Sequence, residues 1–148
     1  LSEQIKAHSC DRVYQAVVYG RMKEPEGRVD APIGRNPLER KEMCVTARNS
    51  KEAVTNYRVL QEYEGFSHLE LRLETGRTHQ IRVHMAYLGH PVAGDPVYGP
   101  KKVIKSLEGQ CLHAKSIAFD HPVTGERMRF DSELPAYFTD FLRTLRPL

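Results

Sequence analysis

The hydrophobic period changes once within residues 53–89, and that change limits the chain to folds in which a strand hairpin runs into a helix. Over residues 66–73, Leu69, Leu71 and Leu73 alternate with His68, Glu70 and Arg72. Period two is the pattern of a strand with one buried face. Residues 53–62, with Val54, Tyr57 and Val59, read as a second strand, and Glu64-Gly65 between the two predicts an antiparallel hairpin. After Thr75-Gly76-Arg77-Thr78 the period becomes helical. At 100° per residue Ile81, Met85 and Leu88 fall within about 60° of one another, with Thr78 placed to cap the helix and Gly89 and Pro91 to stop it. His79, Arg82, Val83 and Ala86 lie on a different face, so Arg82 leaves the main apolar stripe.

The remaining elements are shorter. Residues 12–18 are β-branched and aromatic and end at Gly20, which predicts a strand carrying Tyr14, Ala16 and Val18 on one face. Residues 21–42 bring Pro25, Gly27, Pro32, Gly34 and Pro37 every few positions and read as turns around short strands. Beyond the helix lie the turn-rich Gly94-Asp95-Pro96-Val97-Tyr98-Gly99-Pro100, a basic loop, and short strands near residues 111–113, 116–120 and 127–131. A last amphipathic helix fits residues 135–145, with Phe138, Phe141, Leu142 and Leu145 inward. This order predicts an α+β class, a mixed and largely antiparallel sheet with flanking helices. At 148 residues there is room for one domain. With no apolar run long enough for a membrane span or a signal peptide, the chain reads as soluble and cytoplasmic. Residues 1–8 look like the end of a helix already under way behind Leu1, so a piece of a longer protein is expected.

Charge and cysteine content narrow the chemistry. Residues 1–74 carry 12 basic and 12 acidic side chains, whereas residues 75–148 carry 10 against 7, and four of the seven histidines lie within residues 75–115. A locally basic stretch suits an anionic partner such as RNA. Cys10, Cys44 and Cys111 are odd in number and form no C-x-x-C pair, so neither a disulfide framework nor a structural zinc site is indicated. His79 and His84 are five apart, which is not the spacing of a helical zinc pair. Glycine-rich nucleotide loops and serine-hydrolase elbows do not occur. What stands out is Gly76-Arg77-Thr78-His79-Gln80-Ile81-Arg82, where two arginines, a histidine and a glutamine surround a helix start. Such an arrangement can seat a phosphate or a carboxylate.

The segment from Leu73 through Gly76-Arg77-Thr78-His79-Gln80-Ile81-Arg82-Val83-His84-Met85, followed by Gly89-His90-Pro91 and Gly94-Asp95-Pro96-Val97-Tyr98-Gly99, resembles the RluA/RluD family of pseudouridine synthases. Asp11-Arg12-Val13-Tyr14-Gln15-Ala16-Val17 resembles that family's basic-x-Tyr-x-Ala-x-Val strand, and Ala31-Pro32-Ile33-Gly34-Arg35 its Pro-Ile-Gly-Arg region. The likeness continues through Leu112-His113-Ala114 and His121-Pro122-Val123-Thr124-Gly125-Glu126, so it spans essentially the whole chain. It implies the catalytic-domain fold of these enzymes and isomerisation of uridine within RNA, without a metal or other cofactor. The target base leaves its stack to be reached. By the same resemblance Arg82 pairs with a nucleophilic aspartate and Tyr14 packs against the base. Arg77, His79 and Gln80 are expected to contact RNA phosphates or to support the site from behind, Lys101 and Lys102 to meet RNA phosphates or to form a solvated loop, and Asp95 and Tyr98 to shape the turn after the helix.

One departure matters. The family's aspartate belongs to a His-Arg-Leu-Asp motif that occurs nowhere in this sequence, and no aspartate present stands in its context. The chain therefore reads as the C-terminal part of a catalytic domain, inactive alone, with ribosomal RNA the expected substrate of the parent protein and transfer RNA open. The rival is a non-catalytic RNA-binding module on the same fold. Association through sheet edges left open is also expected.

Overall fold

The computed structural model describes residues 10–148 apart from 103, 105 and 108. The expected helical stretch at residues 1–8 and the basic-loop residue Lys105 lie outside the described residues. Among the described residues nine strands and two helices follow in the order β1 (Asp11–Tyr19), β2 (Glu26–Asp30), β3 (Ile33–Arg35), β4 (Met43–Val45), β5 (Ser50–Lys51), β6 (Val54–Tyr63), β7 (Phe66–Leu73), α1 (Gln80–Tyr87), β8 (Leu112–Asp120), β9 (Arg127–Asp131) and α2 (Ala136–Thr144). Six strands form one sheet in the order β2-β6-β7-β1-β8-β9, and β4-β3-β5 form a small second sheet. All described pairings are antiparallel.

The hairpin between β6 and β7 forms as its period implies, with Gly65 at φ 81° in its turn. Strand β1 lies at the centre of the sheet, between β7 and β8, and both of its faces are covered. Ala16 and Val18 pack with Leu69, Leu71, Ile81 and Met85, with Tyr14 against the same cluster. On the opposite face Val17 packs with Phe138 and Phe141 of α2. This corrects the expectation of a single buried face on β7. Its His68 is also covered, lying 5.5 Å from the Phe138 ring centroid. The strands expected at residues 111–113 and 116–120 are one strand, β8, with a bulge opposite Val13 and Tyr14.

Two details of α1 differ from the sequence expectation. The N-cap is His79, at φ 55°, with no side-chain cap bond, so Thr78 does not cap the helix. Leu88 falls after the last helical residue and is 37% exposed, and the inward positions are shared instead by Ile81, Met85 and Val83. Val83 faces the second sheet, against Ile33 and Ala53. A short helix wedged between two sheets buries more than one stripe.

Burial of histidine gives this fold a pH dependence. Burial pushes the His68 imidazole down to about 4, and burial likewise lowers His84, against the opposing carbonyl of Ala31 and charge of Asp30. Both rings are neutral in the fold, whereas in the unfolded chain they take up protons near pH 6.5. Stability is full above that value and declines as pH falls from about 6.5 toward 4. Urea midpoints measured between pH 7 and pH 4.5 are expected to fall, and His68→Gln to flatten part of the slope. A slope unchanged by the substitution would remove His68 from this account.

Candidate active site

The site is built where α1 meets the segment that follows it. After Gly89, residues 92–95 return to the central strand: Ala93 N–H donates to Val17 O at 2.8 Å, and Cys111 N–H donates to Ala93 O at 2.8 Å. Gly94, at φ 77°, passes so close to the Gly109 carbonyl that a Cβ there would collide with it. This brings Asp95 under α1. Arg82 Nε and Nη2 donate to the two Asp95 carboxylate oxygens at 2.8 and 2.9 Å. The aspartate side chain is fully buried and that of the arginine 10% exposed.

Asp95 also does what the turn-rich sequence implies, since its Oδ1 accepts from Val97 N–H at 2.9 Å and Tyr98 N–H at 3.0 Å. Burial alone would raise its carboxyl, but the Arg82 bonds and these two amides outweigh it and hold the group below the ordinary carboxylate value. The same pair raises Arg82. The guanidinium lies 5.0 Å from the Tyr98 ring centroid, close enough for a cation–π contact. Among the described residues Arg82 Nη1 has no hydrogen-bond partner, so one edge of the fork is unspent.

Tyr98 ties this pair to the second sheet and to the start of α1. Its hydroxyl accepts from Met43 N–H at 2.9 Å, at the start of β4, and lies 2.8 Å from His79 Nδ1. Burial lowers His79, the nearby Arg82 charge adds to this, and Asp95 opposes. With His79 neutral, its Nδ1 accepts a hydrogen bond from the Tyr98 hydroxyl.

Below lies a closed polar network. Gln80 Oε1 accepts from Thr75 Oγ1–H at 2.7 Å and Arg77 N–H at 2.9 Å, while Nε2 donates to Val54 O at 2.9 Å and Thr55 Oγ1 at 3.0 Å. The Thr55 hydroxyl then donates to His84 Nδ1 at 2.8 Å, and His84 Nε2–H donates to Ala31 O at 2.9 Å. All four hydrogen-bonding positions of the Gln80 amide are filled.

The expected site residues therefore separate. Arg82 is buried beside a carboxylate, though that carboxylate is Asp95. Tyr14 is half-buried on β1 and lines a cavity of about 290 Å³ with Arg12, Lys115 and Phe130. It does not line the Arg82 cluster, but Ile81, next to Arg82, shares its apolar cluster. Of the two roles expected of Gln80, the structure places it in the supporting one rather than at RNA: it is 3% exposed and its amide is fully committed in bracing α1. Arg77 Nε donates to Glu52 O at 2.7 Å, and His79 is exposed at the helix start. Lys101 and Lys102 are exposed and line an open cavity of about 390 Å³ that also touches Asp95. Sequence reasoning missed the Arg82–Asp95 pair, the bracing by His84, and Arg12. Only Arg12 had a legible signal, a basic residue two positions before Tyr14 on the same strand face.

The family model described as RNA pseudouridylate synthase matches residues 1–87. The chain is 48% identical over 146 residues to an uncharacterized RNA pseudouridine synthase of Bacillus subtilis, covering 99% of this chain and 48% of that protein. It is 42% identical over 158 residues to the ribosomal large subunit pseudouridine synthase D of Pseudomonas aeruginosa, covering 99% and 49%. The solved structure of human RNA pseudouridylate synthase domain containing 1 superimposes with TM-score 0.83 at 29% identity, over 99% of this chain and 63% of that one. The fold is that of pseudouridylate synthase domains. The chain belongs to the RNA pseudouridylate synthase family, and it spans about half the length of these curated relatives.

Proposed function

We propose that this chain is the C-terminal part of the catalytic domain of a cytoplasmic enzyme that converts specific uridines of ribosomal RNA to pseudouridine. The observation that carries the reading is the Arg82–Asp95 pair, which holds a guanidinium in place while leaving Nη1 unspent. A permanent cation fixed in this way can keep a second, nucleophilic carboxylate ionised and oriented. Tyr14, in a cavity on the same sheet, offers a ring face for the uracil. In the reaction the N1–C1′ bond breaks, the base turns and C5 joins the same sugar carbon; the proton leaves C5, with the Tyr14 hydroxyl oxygen the candidate acceptor, and N1 takes up a proton. Arg77, His79, Lys101 and Lys102 are suited to RNA phosphates. Ribosomal RNA is favoured by relatives named as large-subunit enzymes.

The test is incubation of the full-length protein with unmodified ribosomal RNA and carbodiimide mapping of pseudouridine. Site-specific conversion is expected from the full-length protein and none from residues 1–148 alone, whose sequence lacks a His-Arg-Leu-Asp motif. Turnover by residues 1–148 would overturn the assignment of the nucleophile to that motif. Salt-sensitive RNA binding by the full-length protein without any conversion would favour the non-catalytic module.

A further inference from the structure

Among the described residues Arg12 carries a buried donor that the fold leaves without a partner. It stands two residues before Tyr14, so both side chains leave the same face of β1, and both line the same cavity of about 290 Å³. Its guanidinium lies against Gly76, in the space where any other residue would carry a Cβ. Its Nε is buried and has no hydrogen-bond partner. No described residue forms an ion pair with it, because the nearby acids are spent elsewhere. Asp131, on the cavity wall, takes Lys115 Nζ at 2.8 Å, and Asp11 takes Arg72 at 3.0 Å.

A buried donor left unsatisfied costs about 1–3 kcal/mol, and a functional role is a standard reason for tolerating that cost. Asp131 being neutralised by Lys115, Arg12 supplies the cavity's unpaired positive charge. The wall beside it is aromatic and apolar: Tyr14, Ile117 and Phe130. A ligand that matches needs a flat ring and, a short distance away, an anionic group with several acceptors. A nucleotide has both.

We propose that Arg12 binds the phosphate of the nucleotide whose base stacks on Tyr14, anchoring it in the cavity. This rests on the proposed uridine chemistry and adds to it a second arginine with a separate task. Arg82, with Nε and Nη2 held by Asp95, serves the reacting carboxylate, and Arg12, whose Nε has no partner among the described residues, serves the substrate backbone. Gly76 is what lets the guanidinium reach that position.

The experiment uses the full-length enzyme and two RNA substrates, one natural and one with a neutral methylphosphonate at the target nucleotide. For the wild type, removing that charge is expected to raise KM about tenfold with kcat little changed. Arg12→Gln should raise KM for natural RNA by a similar factor, lower the salt slope of binding by about one phosphate contact, and lose little more on the methylphosphonate substrate. Arg12→Lys should recover part of the loss, because it restores the charge without the fork. Additive losses from the two changes would overturn the proposal and point to a carboxylate of the protein as the Arg12 partner. So would a wild type indifferent to the methylphosphonate, a result that does not depend on any variant folding. A wild type that converts no uridine in either RNA would instead overturn the parent reading, and is distinguishable on that ground.

Discussion

Replacing Asp95 with alanine is expected to destabilise the protein by about 3–5 kcal/mol, because it leaves the Arg82 guanidinium buried without its counter-charge. The carboxylate is fully buried and its two oxygens accept four hydrogen bonds, two from Arg82 and one each from Val97 and Tyr98. Alanine removes all four. Asparagine keeps the shape and can still accept from the two amides, so Asp95→Asn is expected to cost less but to lose the charge pairing. Urea denaturation of the two variants separates these contributions. The acid limb gives an independent check. Since Asp95 sits below its ordinary value in the fold, its contribution is fully present above about pH 3.9, the unfolded value, and is lost as pH falls through the folded value. Asp95→Asn should abolish that part of the acid transition and leave the histidine slope above it. On the proposed function, in the full-length protein and measured where the variant is still folded, loss of the carboxylate frees Arg82 to move. A displacement of about 1 Å is enough for a hundredfold loss in kcat. A variant that kept both stability and kcat would show that the pair is ornamental.

How much of this was legible in the sequence depends on the range over which each feature is determined. The hairpin of β6 and β7 was readable because strand period and a Gly65 turn are local. Helix α2 was readable because Phe138 and Phe141 recur at helical spacing and both are buried. The entry into α1 was not. Thr78 has the chemistry of a cap, but Gln80 draws the chain in toward Thr75 and Val54, and the N-cap falls one residue beyond Thr78, on His79 in the left-handed region. The limits of local inference show most clearly at Arg82. Its position off the apolar stripe implies a polar face, yet the residue is buried, because Asp95 and Tyr98 cover it. Asp95 follows 13 residues later, and only the return of the chain to Val17 brings the two together. Lys101 and Lys102 were legible as charge alone, which places them on the surface without saying what they meet.

Gln80→Leu is expected to be nearly as damaging as the loss of Asp95, although it changes no charge. The side chain is buried and makes four hydrogen bonds, and leucine would leave Arg77 N–H and the Thr75 hydroxyl without their acceptor and Thr55 Oγ1 without its donor. At about 1–3 kcal/mol for each buried group left unsatisfied, a total loss of at least 3 kcal/mol is expected after partial relaxation. Gln80→Glu distinguishes hydrogen bonding from packing, since it preserves the shape. It places an acceptor against the Val54 carbonyl, and the Thr55 hydroxyl can satisfy the new oxygen only by withdrawing its proton from His84 Nδ1. A buried carboxylate without a cation beside it adds a further penalty. Glutamate should therefore be at least as damaging as leucine at pH 7 and recover in part as pH falls and the new carboxyl takes up a proton. Because Gln80, Thr55 and His84 form one chain of bonds, the loss in a Gln80→Leu, His84→Ala double variant should be smaller than the sum of the single losses. Denaturation midpoints of the four proteins give the coupling directly. Additive losses, or a Gln80→Leu loss under about 1 kcal/mol, would mean that α1 is held by its apolar contacts alone, with Ile81 and Met85 rather than the polar network setting the direction in which Arg82 leaves the helix.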